Sequence, residues 1–343
     1  MIRRGGGDRI AMKHGAGGRA MRSLIEDVFL QGAEEIPGGV GLSAMDDGAA
    51  IPVGDGFLVL TTDSHVVQPR FFPGGDIGRL AIAGTVNDLA MMGATDPAWL
   101  TCGVILEDGF SRDELERIQA SMRECLREAG AKIVTGDTKV MGKGELDGLV
   151  INTAGAAFTK RIVRDSGLRA GDRIIVTGTI GDHGFAVLSV RSGLSLEGDL
   201  RSDVAPINGL VAAALEAGGD AICAMKDPTR GGLGSALHEM AAKGKVGIVL
   251  DERAVPLSNE VRGAAELLGI DPLQVANEGK AVIGVRPGSV DRVLAALRAH
   301  PLGRNAAIVG TATADNLGRV VLDTGVGRRL LAEPEGEPLP RIC

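Results

Sequence analysis

Five acidic residues stand where they could do phosphate chemistry. Asp47 ends Ser-Ala-Met-Asp-Asp, Asp63 sits in Thr-Thr-Asp-Ser-His, and Asp88 follows Asn87 in Gly-Thr-Val-Asn-Asp-Leu-Ala. Asp137 precedes Thr138 and Lys139 in Thr-Gly-Asp-Thr-Lys, and Asp227 opens Asp-Pro-Thr-Arg-Gly-Gly, which carries Thr229. Any one of them alone reads as a helix cap or a turn residue. Asp88 does not fit that reading well, because it interrupts an apolar helical face, where an unpaired carboxylate is costly. Five carboxylates in glycine-flanked segments suit Mg²⁺, which prefers oxygen ligands and commonly bridges phosphates, so a nucleotide is the expected partner. Lys139 follows what reads as a Gly-Asp-Thr turn and could set an ammonium beside the metal ligands. Glu278, in Ala-Asn-Glu-Gly-Lys, is a further polar candidate, and His65, beside Asp63, reads as a hydrogen-bonded bystander in a loop.

The last residue, Cys343, is a second chemical feature. The twelve residues from Ala332 are rich in Pro, Gly and Glu and carry little apolar surface to offset the entropy of ordering. Such a segment is expected to be a mobile arm, reaching about 40 Å when extended. Its thiol could take part in chemistry, pair between molecules, or be incidental. Prenylation is excluded, because that signal places its cysteine fourth from the end.

Composition bounds the rest. The 343 residues suffice for two ordinary domains. Aromatics are only 2% and the net charge is −7, which argues against nucleic acid: there are few platforms for bases and no basic field for phosphate backbones. Cys102, Cys125, Cys223 and Cys343 show no CxxC spacing, and the first three read as buried thiols in a reducing compartment. No apolar run has the length of a membrane span, so a cytoplasmic location is expected. There is no Gly-x4-Gly-Lys-Ser/Thr loop. Gly15-Ala-Gly17-Gly18 imitates a dinucleotide fingerprint, but no strand precedes it, so it reads as a glycine-rich leader or a phosphate-covering loop.

The elements that must position these residues are short β-branched runs and amphipathic helices. Strands are expected at 56–62, 99–106, 132–135 and 149–158, then at 173–177, 221–225, 247–250, 281–285, 306–309 and 320–322. Helices are expected at 21–29, 76–92 and 113–129, then at 185–191, 210–217, 234–242, 260–268 and 291–300. Ser111 and Glu114 sign the start of the third of these. Strands and helices do not alternate one for one, so two α+β domains fit better than an open Rossmann sheet. The expected division is a glycine-rich segment and helix at 1–40, domains at 41–165 and 166–331, and the tail at 332–343.

With these motifs in view, the chain resembles the hydrogenase-maturation HypE family, in the superfamily shared with aminoimidazole ribonucleotide synthetase (PurM-like). The resemblance rests on Lys-His-Gly-Ala-Gly-Gly (13–18), Thr-Asp-Ser (62–64), Phe-Phe-Pro-Gly-Gly (71–75), Asn-Asp (87–88) and Ile-Val-Thr-Gly-Asp-Thr-Lys-Val (133–140). It continues through Ile-Asn-Thr-Ala-Gly (151–155), Gly-Asp-His-Gly (181–184), Thr-Arg-Gly-Gly (229–232), Ala-Asn-Glu-Gly-Lys (276–280) and the terminal Pro-Arg-Ile-Cys (340–343). The resemblance implies a two-domain fold whose N-terminal halves pair into a dimeric β-barrel, with ATP sites beside that interface. It implies ATP-dependent dehydration of an S-carbamoyl group on Cys343 to a thiocyanate. The carbamoyl group would come from the carbamoyltransferase HypF, and the cyanide would pass to iron on a HypC–HypD scaffold for a [NiFe]-hydrogenase. On that reading Asp47, Asp63, Asp88, Asp137 and Asp227 hold metal and phosphate. Gly17, Gly18, Asn87, Thr138 and Thr229 bind nucleotide, Lys139 neutralises charge, Glu278 is the base, and His65 has no role. Thiamine phosphate kinase, selenophosphate synthetase and a non-catalytic carrier are the competing readings. None of the first two accounts for Pro-Arg-Ile-Cys, and a carrier needs no such set of carboxylates.

Overall fold

The structure is a computed structural model that describes residues 9–193, 198–333 and 342. In the N-terminal half, a five-stranded sheet runs in the order Ala49–Val53, Gly56–His65, Leu149–Thr159, Trp99–Glu107, Lys132–Met141. All neighbours are antiparallel except the last pair, which is parallel. Two helices, Ile77–Met91 and Arg112–Ala129, follow strands of this half and pack against each other. Arg112–Ala129 starts where Ser111 Oγ accepts from the Glu114 amide at 3.3 Å, and it buries Ile118, Met122 and Cys125. Its single apolar stripe contrasts with Ile77–Met91, which is buried nearly all round because sheet, helix and the other half of the chain enclose it.

The C-terminal half holds a seven-stranded sheet in the order Arg328–Leu330, Val320–Asp323, Gly247–Asp251, Ala307–Thr313, Arg173–Val176, Val282–Val285, Ile222–Lys226. Its helices include Asp182–Ser192, Asn208–Gly218, Gly232–Gly244, Asn259–Leu268 and Val290–Ala299. One apolar cluster crosses between the halves: Ile77, Leu80 and Val86 share it with Phe185, Val204 and Val275. The two halves are thereby packed over a common core.

Three local differences separate the structure from the sequence expectation, two of them with clear causes. The strand expected to stop at Thr135 runs on to Met141, so Gly136–Lys139 is ladder and not a turn; Asp137 pairs with Gly103 and Lys139 with Ile105. Gly136 tolerates this because a Cβ there would meet the Cys102 carbonyl oxygen at 2.5 Å, a close backbone approach that marks glycine inside a strand. The strands Ala49–Val53 and Arg328–Leu330 escaped notice because they are short edges, one of them carrying Pro52. The expected helix at 21–29 begins earlier, at Gly18, and continues from Ile25 to Phe29 as a π turn. Among the described residues no barrel closes in the single chain. The sheet ends at Lys132–Met141, an edge with most of its residues exposed. No described helix is long and apolar enough to cross a membrane.

Candidate functional site

A cleft of about 610 Å³ lies between the halves. Eight of the expected site residues line it: Gly17, Gly18, Asp47, Asp63, Asp88, Asp227, Thr229 and Glu278. Each is delivered by a nearby element. Asp63 is near the end of Gly56–His65, Asp88 sits in the last turn of Ile77–Met91, and Asp227 follows Ile222–Lys226 directly. Gly17 has φ +74°, and a Cβ there would stand 2.9 Å from both the Arg230 Cβ and its carbonyl oxygen, so the glycine lets the leader press against Arg230.

The carboxyls crowd one another. Burial, then the negative charges of Asp227, Asp63 and Asp47, push Asp88 well above the usual carboxylate range; Thr61 Oγ1, donating at 2.9 Å, opposes this. Burial and Asp47 push Asp227 up to about 8. Burial, Asp227, Asp63 and Asp203 likewise push Glu278 well above its ordinary value, and Glu278 Oε1 is buried without a hydrogen-bond partner. Such a cluster awaits positive charge.

Four cationic side chains, Arg22, Lys226, Arg230 and Lys243, line the cleft, and Lys226 is paired with two of its acids. Lys226 Nζ lies 2.5 Å from Asp47 Oδ1 and 3.3 Å from Glu239 Oε2. Burial pulls its proton affinity down, but Asp47 and Glu239 outweigh this and hold the ammonium well above the usual lysine value. Neither Lys226 nor Glu239 stands out in sequence, since a lysine at a strand end and a glutamate on a helix read as surface. Among the described residues no three Asp, Glu, His or Cys side chains close into a ready metal cage. The donor set nonetheless fits Mg²⁺, an ion that takes one or two carboxylates and completes its shell with water and phosphate.

Other expected residues lie elsewhere. Asp137, Thr138 and Lys139 sit on the exposed edge strand and do not line this chain's cleft. Asn87 does not face the cleft either. Its Nδ2 donates to the carbonyls of Ala205 (3.1 Å) and Glu278 (3.2 Å), and its Oδ1 accepts from the Ile207 amide at 2.8 Å. Asn87 is therefore a buried tie that fixes the backbone of Glu278. Cys343 lies outside the described residues. His65 is no loop residue: it ends its strand, is 1% exposed, and has Nε2 3.4 Å from Asp63 Oδ2. Of the expected buried thiols, Cys102 and Cys125 are buried, while Cys223 is only half-buried and donates to Asp172 Oδ2 at 3.3 Å.

The segment bearing Glu278 is held tightly. Its amide donates to Asp203 Oδ1 at 3.0 Å, and a Cβ at Gly279 would fall 1.9 Å from the Asp203 carbonyl oxygen. Gly279→Ala is expected to destabilise the fold by about 1–3 kcal/mol, because backbone and not a pliable side chain blocks the methyl group. It should also displace Glu278. A thermal melt beside a nucleotide-binding titration checks both effects.

Comparison with known proteins agrees with this architecture. The profile for "AIR synthase related protein, N-terminal domain" matches residues 45–158, and that for the C-terminal domain matches 169–323. A putative hydrogenase expression/formation protein of Methanocaldococcus jannaschii is 49% identical, covering 98% of this chain and 100% of the relative. Proteins named carbamoyl dehydratase HypE are similar too: that of Rhizobium leguminosarum bv. viciae at 48% (98% and 95% covered) and that of Escherichia coli K12 at 43% (98% and 100%). Among solved structures, a HypE–HypF complex superposes with a TM-score of 0.85 at 41% identity, covering 91% of this chain and 100% of that one. A HypE in complex with ATP gives 0.80 at 42%, covering 97% and 99%. A thiamine monophosphate kinase from Aquifex aeolicus, at 19% identity and TM-score 0.63, shares the fold alone.

Proposed function

This chain belongs to the HypE family of carbamoyl dehydratases, ATP-dependent enzymes of AIR synthase-related fold, and we propose that it converts an S-carbamoyl group on its own Cys343 into a thiocyanate. The observation that carries this reading is the crowding of Asp88, Asp227 and Glu278, whose carboxyls are driven toward their protonated forms in one cleft between the halves. ATP is the substrate bound there. Mg²⁺ arriving with it would be held by Asp47, Asp63, Asp88 and Asp227 and would neutralise the charge these carboxyls share.

The chemistry asks for positioning more than for a strong nucleophile. The carbamoyl oxygen attacks the γ-phosphorus of ATP, ADP leaves with the electron pair of the broken P–O bond, and an imidate phosphate forms. Loss of phosphate then yields S–C≡N. The two nitrogen protons depart, one with phosphate and one to solvent through Glu278, so that one amide and one ATP give one thiocyanate, ADP, phosphate and a proton. Gly17, Gly18 and Thr229 flank the nucleotide, and Asn87 fixes the backbone that aims Glu278.

Asp137, Thr138 and Lys139 enter this scheme through a second copy. The Lys132–Met141 edge exposes Val134 and Val140 at 59% and 63%, an unprotected edge of the kind proteins cover by pairing. A two-fold homodimer across this edge, with mixed sheets closing a barrel, would carry Asp137 and Lys139 toward the neighbouring cleft. Carbamoyl groups would come from HypF, consistent with the solved HypE–HypF complex, and cyanide would go to the HypC–HypD iron scaffold. The test is phosphate release in a single turnover. Chain carbamoylated at Cys343 should release one phosphate per tail from Mg-ATP, and Cys343→Ala none. Equal release by both would reject the reading.

A further inference from the structure

His183, in Gly-Asp-His-Gly, has no part in the scheme above, yet it is fully buried and both of its ring nitrogens are engaged. Nε2 lies 2.9 Å from the carbonyl oxygen of Ile342, the residue just before the terminal cysteine. A carbonyl only accepts, so Nε2 carries the hydrogen. Burial keeps the ring below the usual histidine value, hence neutral, which leaves Nδ1 as an acceptor. Ser202 Oγ, 2.8 Å away, must therefore donate to Nδ1, and it in turn accepts from the Val204 amide at 3.1 Å. The tautomer that can hold Ile342 is thus set by Ser202.

The seat is packed against several neighbours. The Phe72 ring meets the imidazole edge-on at 5.3 Å, and the Ser202 amide donates to the Pro73 carbonyl at 2.8 Å. Ile342 itself is 2% exposed and belongs to the same apolar cluster as Phe72, Val204, Val275 and Ala276. The seat is also continuous with the cleft. The Gly184 amide donates to the Ala276 carbonyl at 3.2 Å, and Asn277 Oδ1 accepts from the Gly181 amide at 2.7 Å. Asp203, next to Ser202, accepts from the Glu278 amide. The residues that grip the tail are therefore bonded to the residues that place the base.

We propose that His183 is a positioning residue: with Ser202 it latches the Ile342 carbonyl, and so holds the end of the chain beside the segment that bears Glu278 for the dehydration step. This rests on the dehydratase reading given above. It assigns work to a motif that nucleotide binding leaves unexplained, and it makes the last two residues a recognised pair, an apolar anchor and a reactive thiol.

The test uses the full chain carrying His183→Phe, which keeps an aromatic ring against Phe72 and removes both hydrogen bonds. Two readouts are taken: release of Ile342 by carboxypeptidase Y from the unmodified protein, and the single-turnover rate of dehydration after carbamoylation, at saturating Mg-ATP. Release of Ile342 should quicken about tenfold, the loss expected for one buried hydrogen bond, since cleavage follows the population of the opened tail. Dehydration should slow by a similar factor while ATP affinity stays at the wild-type value. His183→Gln, which retains a donor N–H, should recover part of both losses, an outcome that a merely space-filling role would not produce. Should His183→Phe fail to fold, Ser202→Ala tests the same latch through the tautomer. Unchanged release and unchanged rate in a folded variant would overturn the proposal, as would faster release with an unchanged rate, since the seat would then be only a resting place. If wild-type protein itself failed to dehydrate, the dehydratase reading would fall, and the release measurement would still judge the latch.

Discussion

Glu278→Gln is expected to bind ATP and accept a carbamoyl group, yet to dehydrate it about 10²–10⁴-fold more slowly, the usual weight of a positioned base. The substitution is unusually clean. The tethers of residue 278 run from its backbone amide to Asp203 and from Asn87 to its backbone carbonyl, and its buried Oε1 has no hydrogen bond to lose. A glutamine of the same shape should therefore sit where the glutamate sits. Burial and the neighbouring acids raise the proton affinity of Glu278, which makes its ionised form a stronger base than an exposed glutamate. Quenched-flow sampling of the carbamoylated tail measures the effect, and a rate within a few-fold of wild type would remove Glu278 from the mechanism.

The second large effect tests where Lys139 acts. Lys139→Ala and Cys343→Ala should each be nearly inactive, the one lacking a charge at the transferring phosphoryl group and the other lacking the acceptor thiol. Mixed and allowed to exchange within the proposed homodimer, they should regain about a quarter of wild-type activity: half of the dimers would be mixed, and each would have one complete site of two. The rescued site joins the tail and cleft of one chain to Lys139 of the other. The proposal draws on Asp63, Asp88 and Asp227 sharing a cleft that Asp137 and Lys139 of the same chain do not line. A mixture as inactive as its parents would place Lys139 in its own chain's site or outside the site altogether.

These outcomes also mark what could be read from sequence. Asp88 was legible because a carboxylate on an apolar helical face needs a reason, and the cleft supplies it. Asp47, Asp63 and Asp227 were legible as acids beside apolar strands, the places where side chains emerge at a sheet's end. The turn reading of Gly136–Lys139 failed because a glycine can mark a close approach within a ladder as well as a turn, and local sequence carries no trace of the Cys102 carbonyl that requires it. Asn87 looked like a ligand and is a tie between the halves, a role set by Ala205, Ile207 and Glu278, all more than a hundred residues away. Lys226 and Glu239 were silent for the same reason: each has an ordinary local setting, and its partners are brought up by the fold.

The most direct test of the whole account is the mass of the C-terminal peptide. The protein is incubated with HypF, carbamoyl phosphate and Mg-ATP, and the peptide ending in Cys343 is weighed over time. The account predicts a carbamoyl adduct on Cys343 that then loses one water, and loses it only when the ATP can be hydrolysed. An adduct that persists unchanged beside hydrolysable ATP would contradict it and make the chain a carrier of carbamoyl groups.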